Sequence, residues 1–295
     1  PTDPTGASGP NFTALAMVSA TEGWALDQSN TLWHYHNSAW SSLAKAPPVP
    51  GISDPSGMQL ESITMISADE GWAVGQVVPQ IVTTSGTSTT STPGPPTGII
   101  FHYSGGRWTL QYALPNSVIH AVSMTSASDG WAAAESDQQV TTTVYGGTPD
   151  TYEVATPLLL HYQTDTWHTA GDPVTDPDFK RGSLTQIAML SSGDGWALET
   201  ATGSVTYDAN SASVGNVLLR YHNGAWSEVQ LPPVHGRDSV ALQALAVSPG
   251  GDVWLVGSAW WPREDWVTTP QNGTVPKATA LILQYQNGKW VIAAS

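Results

Sequence analysis

Three histidines, a small set of acids and a crowd of tryptophans are the residues here whose types and spacing could do chemistry. His34, His102 and His161 each stand just before a tyrosine, at matching places in a repeated pattern. Arg220 and Gln284 hold the same place in the two remaining copies. Three imidazoles make a metal site only where they converge on one point. On separate repeats they do not, so packing is their expected role and no metal is assigned to them. Glu61 and His120 open the first apolar segment of their copies, where Thr13, Thr185 and Leu242 stand in the others. Asp27, Glu135 and Glu199 close the second segments nearby. Glycoside hydrolysis needs two carboxyl groups flanking one bond. The repeat places no such pair, which leaves Glu61 as a lone catalytic candidate. Asp172, Asp176 and Asp178 carry the oxygen ligands that Ca2+ prefers. The Asp-Pro turns around them account for the same residues.

The aromatic residues point to binding rather than turnover. Of 14 tryptophans, ten recur in register and read as structure. Trp33, Trp260, Trp261 and Trp266 are extra, and the last three share one connection with Arg263, Glu264 and Asp265. Indole faces stack on sugar rings and anchor protein hot spots. Tyr145 and Tyr152, on another long connection, join Trp260, Trp261, Arg263 and Trp266 as the candidate ligand-binding set.

The elements that must position these groups follow from a repeat. Gly23-Trp24, Gly71-Trp72, Gly130-Trp131, Gly195-Trp196 and the altered Val253-Trp254 form one series. Tyr35 to Trp40, Tyr103 to Trp108, Tyr162 to Trp167, Tyr221 to Trp226 and Tyr285 to Trp290 form the second, with a constant spacing. Self-similarity at this period marks a repeat architecture. Each copy holds four short apolar runs bounded by Gly, Asn, Asp and Ser, which read as strands joined by hairpins. Asn223-Gly224 and Asn287-Gly288 suit a type I′ turn. Five copies of four antiparallel strands predict an all-β five-bladed β-propeller. A linker or edge strand occupies 1–12, and one propeller domain spans 13–295, with blades at about 13–45, 60–113, 119–171, 184–231 and 241–295. The connections between second and third strands are long in blades two to five. They are expected to carry any binding site, several as protruding hairpins. Gly86–Thr97 reads instead as a mobile Ser/Thr/Gly/Pro tip.

Composition narrows the partners. A net charge of −15 with nine Lys plus Arg argues against nucleic acid and anionic membrane surfaces, which need a basic face. No apolar run reaches the length of a membrane span, so no direct membrane insertion is expected. The chain holds no cysteine, which rules out disulfides, Cys-ligated zinc and Cys nucleophiles.

The grammar Ser-x-x-x-Gly-Trp-Ala-x-Gly followed by Tyr-x-x-Gly-x-Trp resembles the propeller repeats of bacterial exported proteins. Related grammars occur in the photosystem II assembly-factor and sialidase-type Asp-box propellers. The resemblance implies a propeller over nearly the whole chain and leaves its activity open. With the low charge content, it places the protein at the cell surface or outside the cell, as a mature or excised segment. The expected function is non-catalytic recognition of a glycan or a surface protein through the long loops. Two alternatives stand beside it: a glycoside hydrolase using Glu61, and a self-associating structural subunit of a surface layer or filament.

Overall fold

The structure, a computed structural model, describes residues 10–52, 57–142, 150–171, 182–201, 217–237, 239–248, 250–262, 267–269, 273–275 and 277–294. The fold is all-β, a five-bladed β-propeller of four-stranded antiparallel sheets. Blade one pairs β1 (Phe12–Ser19), β2 (Glu22–Asp27), β3 (Thr31–His36) and β4 (Ala39–Lys45) in chain order. Blade two starts with β5 (Met58–Ser67) and β6 (Glu70–Val77). A separate hairpin follows, β7 (Gln80–Ser85) and β8 (Ser88–Pro93), before β9 (Thr97–Ser104) and β10 (Arg107–Pro115) complete the sheet. Blade three is β11 (Ser117–Ser126), β12 (Asp129–Thr142), β13 (Asp150–Gln163) and β14 (Thr166–Gly171). Blade four is β15 (Gly182–Ser191), β16 (Asp194–Ala201), β17 (Val217–His222) and β18 (Ala225–Val229). Blade five has β19 (Ser239–Val247) and β20 (Val253–Trp260). A short hairpin of β21 (Val267–Thr269) and β22 (Gly273–Val275) precedes β23 (Ala278–Gln286) and β24 (Lys289–Ala294).

Contacts gather into two compact units, Pro1–Asp137 with His161–His168, and Gln138–Leu160 with Thr169–Ser295. In the first, Trp24, Leu26, Leu60, Ile63, Ile99 and Phe101 form one core between blades one and two. In the second, Trp196, Leu198, Leu218, Leu255, Leu283 and Trp290 do the same between blades four and five. The indoles of Trp24, Trp72 and Trp196 are fully buried. Truncating any one to alanine would cost roughly 3–5 kcal/mol. On β1, by contrast, Leu15 is 59% exposed.

Each word of the repeat has a local cause. The serine accepts a backbone N–H two residues on: Thr21 to Ser19, Asp69 to Ser67, Ser128 to Ser126 and Gly193 to Ser191. These bonds tighten the turn that starts β2, β6, β12 and β16. The glycine answers a methionine. Met17, Met65, Met124 and Met189 sit directly across the ladder from Gly23, Gly71, Gly130 and Gly195. A Cβ on Gly195 would lie 2.2 Å from the Met189 sulfur. In blade five the same cross-strand position pairs Val247 with Val253. The altered Val-Trp is therefore a redistribution of volume within one pair. The last turn of every blade has two positive-φ residues: Asn37-Ser38, Gly105-Gly106, Thr164-Asp165, Asn223-Gly224 and Asn287-Gly288. That is the type I′ geometry whose twist matches the flanking strands.

One long connection differs from expectation and another follows it. The low-complexity tip of blade two is paired, with Ser85 opposite Ser88 and Gln80 opposite Pro93. Its alternating Thr and Ser suit an extended ladder. In blade three, β12 and β13 run on past the sheet to Thr142 and from Asp150, as the alternating pattern there anticipates.

Candidate functional site

A β-bulge interrupts the first strand of every blade at the same depth. The register skips Thr13, Glu61, His120, Thr185 and Gln243. A bulged residue drops out of the ladder and its side chain is re-aimed. Four of these are the positions expected from spacing. The fifth is a correction: the bulge falls on Gln243, while Leu242 stays in register with Gly257 and is buried. Counting from Ser248 misleads, because blade five aligns on Val247 and Val253 and makes its turn one residue earlier.

In the first unit the bulges bring charge together. Glu61 Oε2 lies 2.6 Å from His120 Nδ1, and Glu135 Oε2 lies 3.6 Å from His120 Nε2. The first is a hydrogen bond and the second an ion-pair distance. Burial pushes the His120 pKa down, but Glu135 and Glu61 outweigh it and raise it to about 9. His120 is thus an imidazolium at neutral pH, tying the inner strands of blades two and three. Glu61, the catalytic candidate from sequence, is thus held through Oε2 by His120. Asp27 is a buried brace as well. Burial raises its pKa, but the Trp33 indole (2.7 Å) and the N–H groups of Thr31 and Ser29 bring it below the ordinary aspartate value. Trp33, one of the extra tryptophans, is thereby part of blade one's own structure. In the second unit the link between inner strands is neutral. Gln186 donates to the Gln243 carbonyl at 2.7 Å and accepts the Leu245 N–H at 2.6 Å.

The three repeat histidines prove to be stacked rings, each with its own carboxylate, one per blade. His34, His102 and His161 lie flat on Trp24, Trp72 and Trp131, with centroids 4.3, 4.6 and 3.9 Å apart. Each also meets the first carboxylate of its second strand: Glu22, Glu70 (2.5 Å) and Asp129 (3.0 Å). In blade four Arg220 takes the place, bidentate to Asp194 at 3.1 and 3.0 Å and 5.1 Å from the Trp196 ring centroid. Blade one adds a second imidazole, since His36 Nδ1 lies 2.6 Å from Glu22 Oε2. The hydrogen bonds to His34 and then His36 hold the Glu22 carboxyl below the ordinary glutamate value.

Between blades the tryptophans need acceptors for their buried N–H groups, and here the junctions differ. At blades two and three, Gln111 Oε1 accepts from Trp72 at 2.9 Å and from Trp167 at 3.0 Å. Its amide nitrogen donates to the Tyr162 hydroxyl at 3.0 Å. At blades four and five the matching indoles are Trp196 and Trp290, and Val229 stands where Gln111 does, three residues after the fourth-strand tryptophan. Both indole Nε1 atoms are buried and without a partner. A cavity of about 350 Å³ opens beside them, lined by Trp196, Arg220, Val229, Tyr285 and Trp290 among others. The Tyr285 hydroxyl is occupied, accepting from Arg220 at 2.7 Å. Reading the residue three after each fourth-strand tryptophan (Leu43, Gln111, Ala170, Val229, Ala293) was the clue available in the sequence. Only one of the five is polar.

The aromatic loop set is only partly brought together. Trp260 is a strand residue of β20, opposite Ala278. Trp261 follows it and carries the Arg237 guanidinium 3.3 Å and the Lys277 ammonium 4.4 Å from its ring centroid. Two cations thus engage an indole of the candidate glycan- or protein-binding set. Tyr152 lies on β13, whose side chains at that end are not described. Tyr145, Arg263, Trp266 and the acids Asp172, Asp176 and Asp178 lie outside the described residues.

No protein-family model and no curated protein matches the chain. Among solved structures it is similar to YCF48 bound to a D1 peptide, at 15% identity and a TM-score of 0.40 over 96% of this chain and 82% of that one. It is similar to a putative oxidoreductase (glucose dehydrogenase) of Thermus thermophilus, at 11% identity and a TM-score of 0.43 over 98% and 84%. It is also similar to the GH74 xyloglucanase of Xanthomonas campestris, at 12% identity and a TM-score of 0.43 over 97% and 46%. Likenesses this distant carry no functional conclusion, and the propeller assignment rests on the strand pairing itself.

Proposed function

We propose that the chain is a non-catalytic recognition module that takes a carboxamide-bearing ligand in the groove between blades four and five. One observation carries this reading: two buried indole N–H groups, of Trp196 and Trp290, lack acceptors beside a cavity of about 350 Å³. The counterpart junction supplies the missing group from within, as the side-chain amide of Gln111. A buried donor left unmet costs roughly 1–3 kcal/mol, which a ligand carbonyl oxygen would recover. The volume suits one sugar ring or one peptide side chain with its backbone. The N-acetyl group of a glycan and the side chain of Asn or Gln in a protein share the required chemistry. A low charged fraction of 11% and the Ser/Thr-rich hairpin of blade two fit a place outside the cell, as a glycan or surface-protein binder.

The test is an array of N-acetylated and unacetylated glycans together with Asn- and Gln-rich peptides, probed with the intact chain and with Val229→Gln. Binding confined to the acetylated or amide probes, and lost on Val229→Gln, is expected. Equal binding by the variant overturns the assignment of this groove. Silence on both arrays overturns the recognition of a carboxamide.

A further inference from the structure

We infer that blade one holds a binding site for a divalent transition-metal ion of the Zn2+ class, formed by Glu22, His34 and His36. The ligand atoms of the three residues all lie within 4.8 Å of one another. Two imidazoles and one carboxylate are a donor set that Zn2+ takes, with water completing a tetrahedron. The topology builds the set without any loop. Glu22 begins β2 directly opposite His36 on β3, and His34 is two residues back on the same face, opposite Trp24.

The other blades act as internal comparisons. Blade two repeats the arrangement with Glu70 opposite Ser104 and His102 opposite Trp72. There one carboxylate meets one imidazole, which accounts for a purely structural pair. Blade four has Asp194 opposite His222, but an always-charged Arg220 in place of His34. Blade one alone among the described residues places two imidazoles on a single carboxylate, one on each oxygen. Stacking on the buried Trp24 fixes the His34 ring, with 13° between the planes. His36 stacks more loosely on His34, at 5.8 Å, and is 57% exposed, so an ion can reach the site from solvent. An ordered imidazole and a position open to water suit a zinc site with three protein ligands.

The experiment is a calorimetric titration of Zn2+ into the metal-free intact chain. Wild type is expected to take up one equivalent. His36→Ser, which turns blade one into a copy of blade two at an exposed position, should weaken that binding at least tenfold. Ser104→His should install a second equivalent by giving blade two the missing imidazole. Circular dichroism of each variant confirms folding. Absence of saturable binding to wild type, or unchanged binding by His36→Ser, overturns the site. Failure of Ser104→His to gain an equivalent overturns the claim that the two-imidazole register is what makes it.

Discussion

The junction of blades two and three and the junction of blades four and five are built from the same parts and solve the same problem differently. Both wedge a second-strand tryptophan against the Tyr and Trp of the next blade: Trp72 meets Tyr162 at 5.8 Å, and Trp196 meets Tyr285 at 4.9 Å. At the first, Gln111 satisfies both indoles and the tyrosine, and a charged His120 bridge joins the inner strands. At the second, Val229 satisfies nothing, a cavity remains, and a neutral Gln186 bridge joins the inner strands. The contrast is between a junction whose two indoles are satisfied from within by one amide and a junction whose two indoles stay unmet beside a cavity. In both, the tryptophan wedge is buried, and the residue three after the fourth-strand tryptophan is Gln111 in one and Val229 in the other.

Four experiments would break or sharpen that contrast. The largest effect is expected from pH. His120 titrates at about 9 in the fold against 6.5 for a free histidine. Its folded pKa is raised, so its stabilisation is complete below pH 6.5 and is lost as pH climbs through about 9. The loss is on the order of 3 kcal/mol. Urea unfolding at about pH 6 and about pH 10 should show it in wild type and not in His120→Gln. A flat profile in wild type would remove the charged bridge from the comparison. Next, Gln111→Val should imitate the open junction and cost about 2 kcal/mol, because two indole donors and a hydroxyl lose their partner. Stability equal to wild type would mean that the amide is dispensable there.

Gly195→Val should cost about 1–2 kcal/mol by overpacking against Met189. Adding Met189→Val should return most of that, since the double variant copies the Val247 and Val253 pair of blade five. A double-mutant cycle with no coupling would show the two sites to be independent. The smallest change in stability is predicted for Val229→Gln, a gain of at most about 1 kcal/mol. Its informative readout is the closing of the groove to an N-acetylated or amide probe.

Much of the fold was legible from residue order. The Gly-Trp and Tyr-to-Trp series mark strand starts and hairpin turns, and both are local events of a few residues. The Met and Gly pairing was present as well, six residues apart in each copy, once a ladder is drawn. The candidate site was far less legible. The loop aromatics drew attention because they break the pattern, yet Trp33 and Trp260 serve their own blades and Trp261 is met by Arg237 and Lys277. The groove between blades four and five left only a trace, the loss of one polar residue at Val229. His36 was equally quiet, because a histidine in the strand before a turn looks like any polar surface residue.

Residue order alone settled the number of sheets, the strand pairing within each, the type of the final turns and the acidic, cysteine-free character of the chain. All of these depend on neighbours in sequence, on side-chain alternation and on backbone preferences. Tertiary structure decided which polar groups find partners. Whether an indole N–H meets an amide, whether Glu61 is held by an imidazolium, and whether two histidines share one carboxylate are questions about separate strands. Hydrogen bonds and ion pairs act over about 3 Å. The residues that make these contacts lie 12 to 59 positions apart, so only packing could bring them within reach.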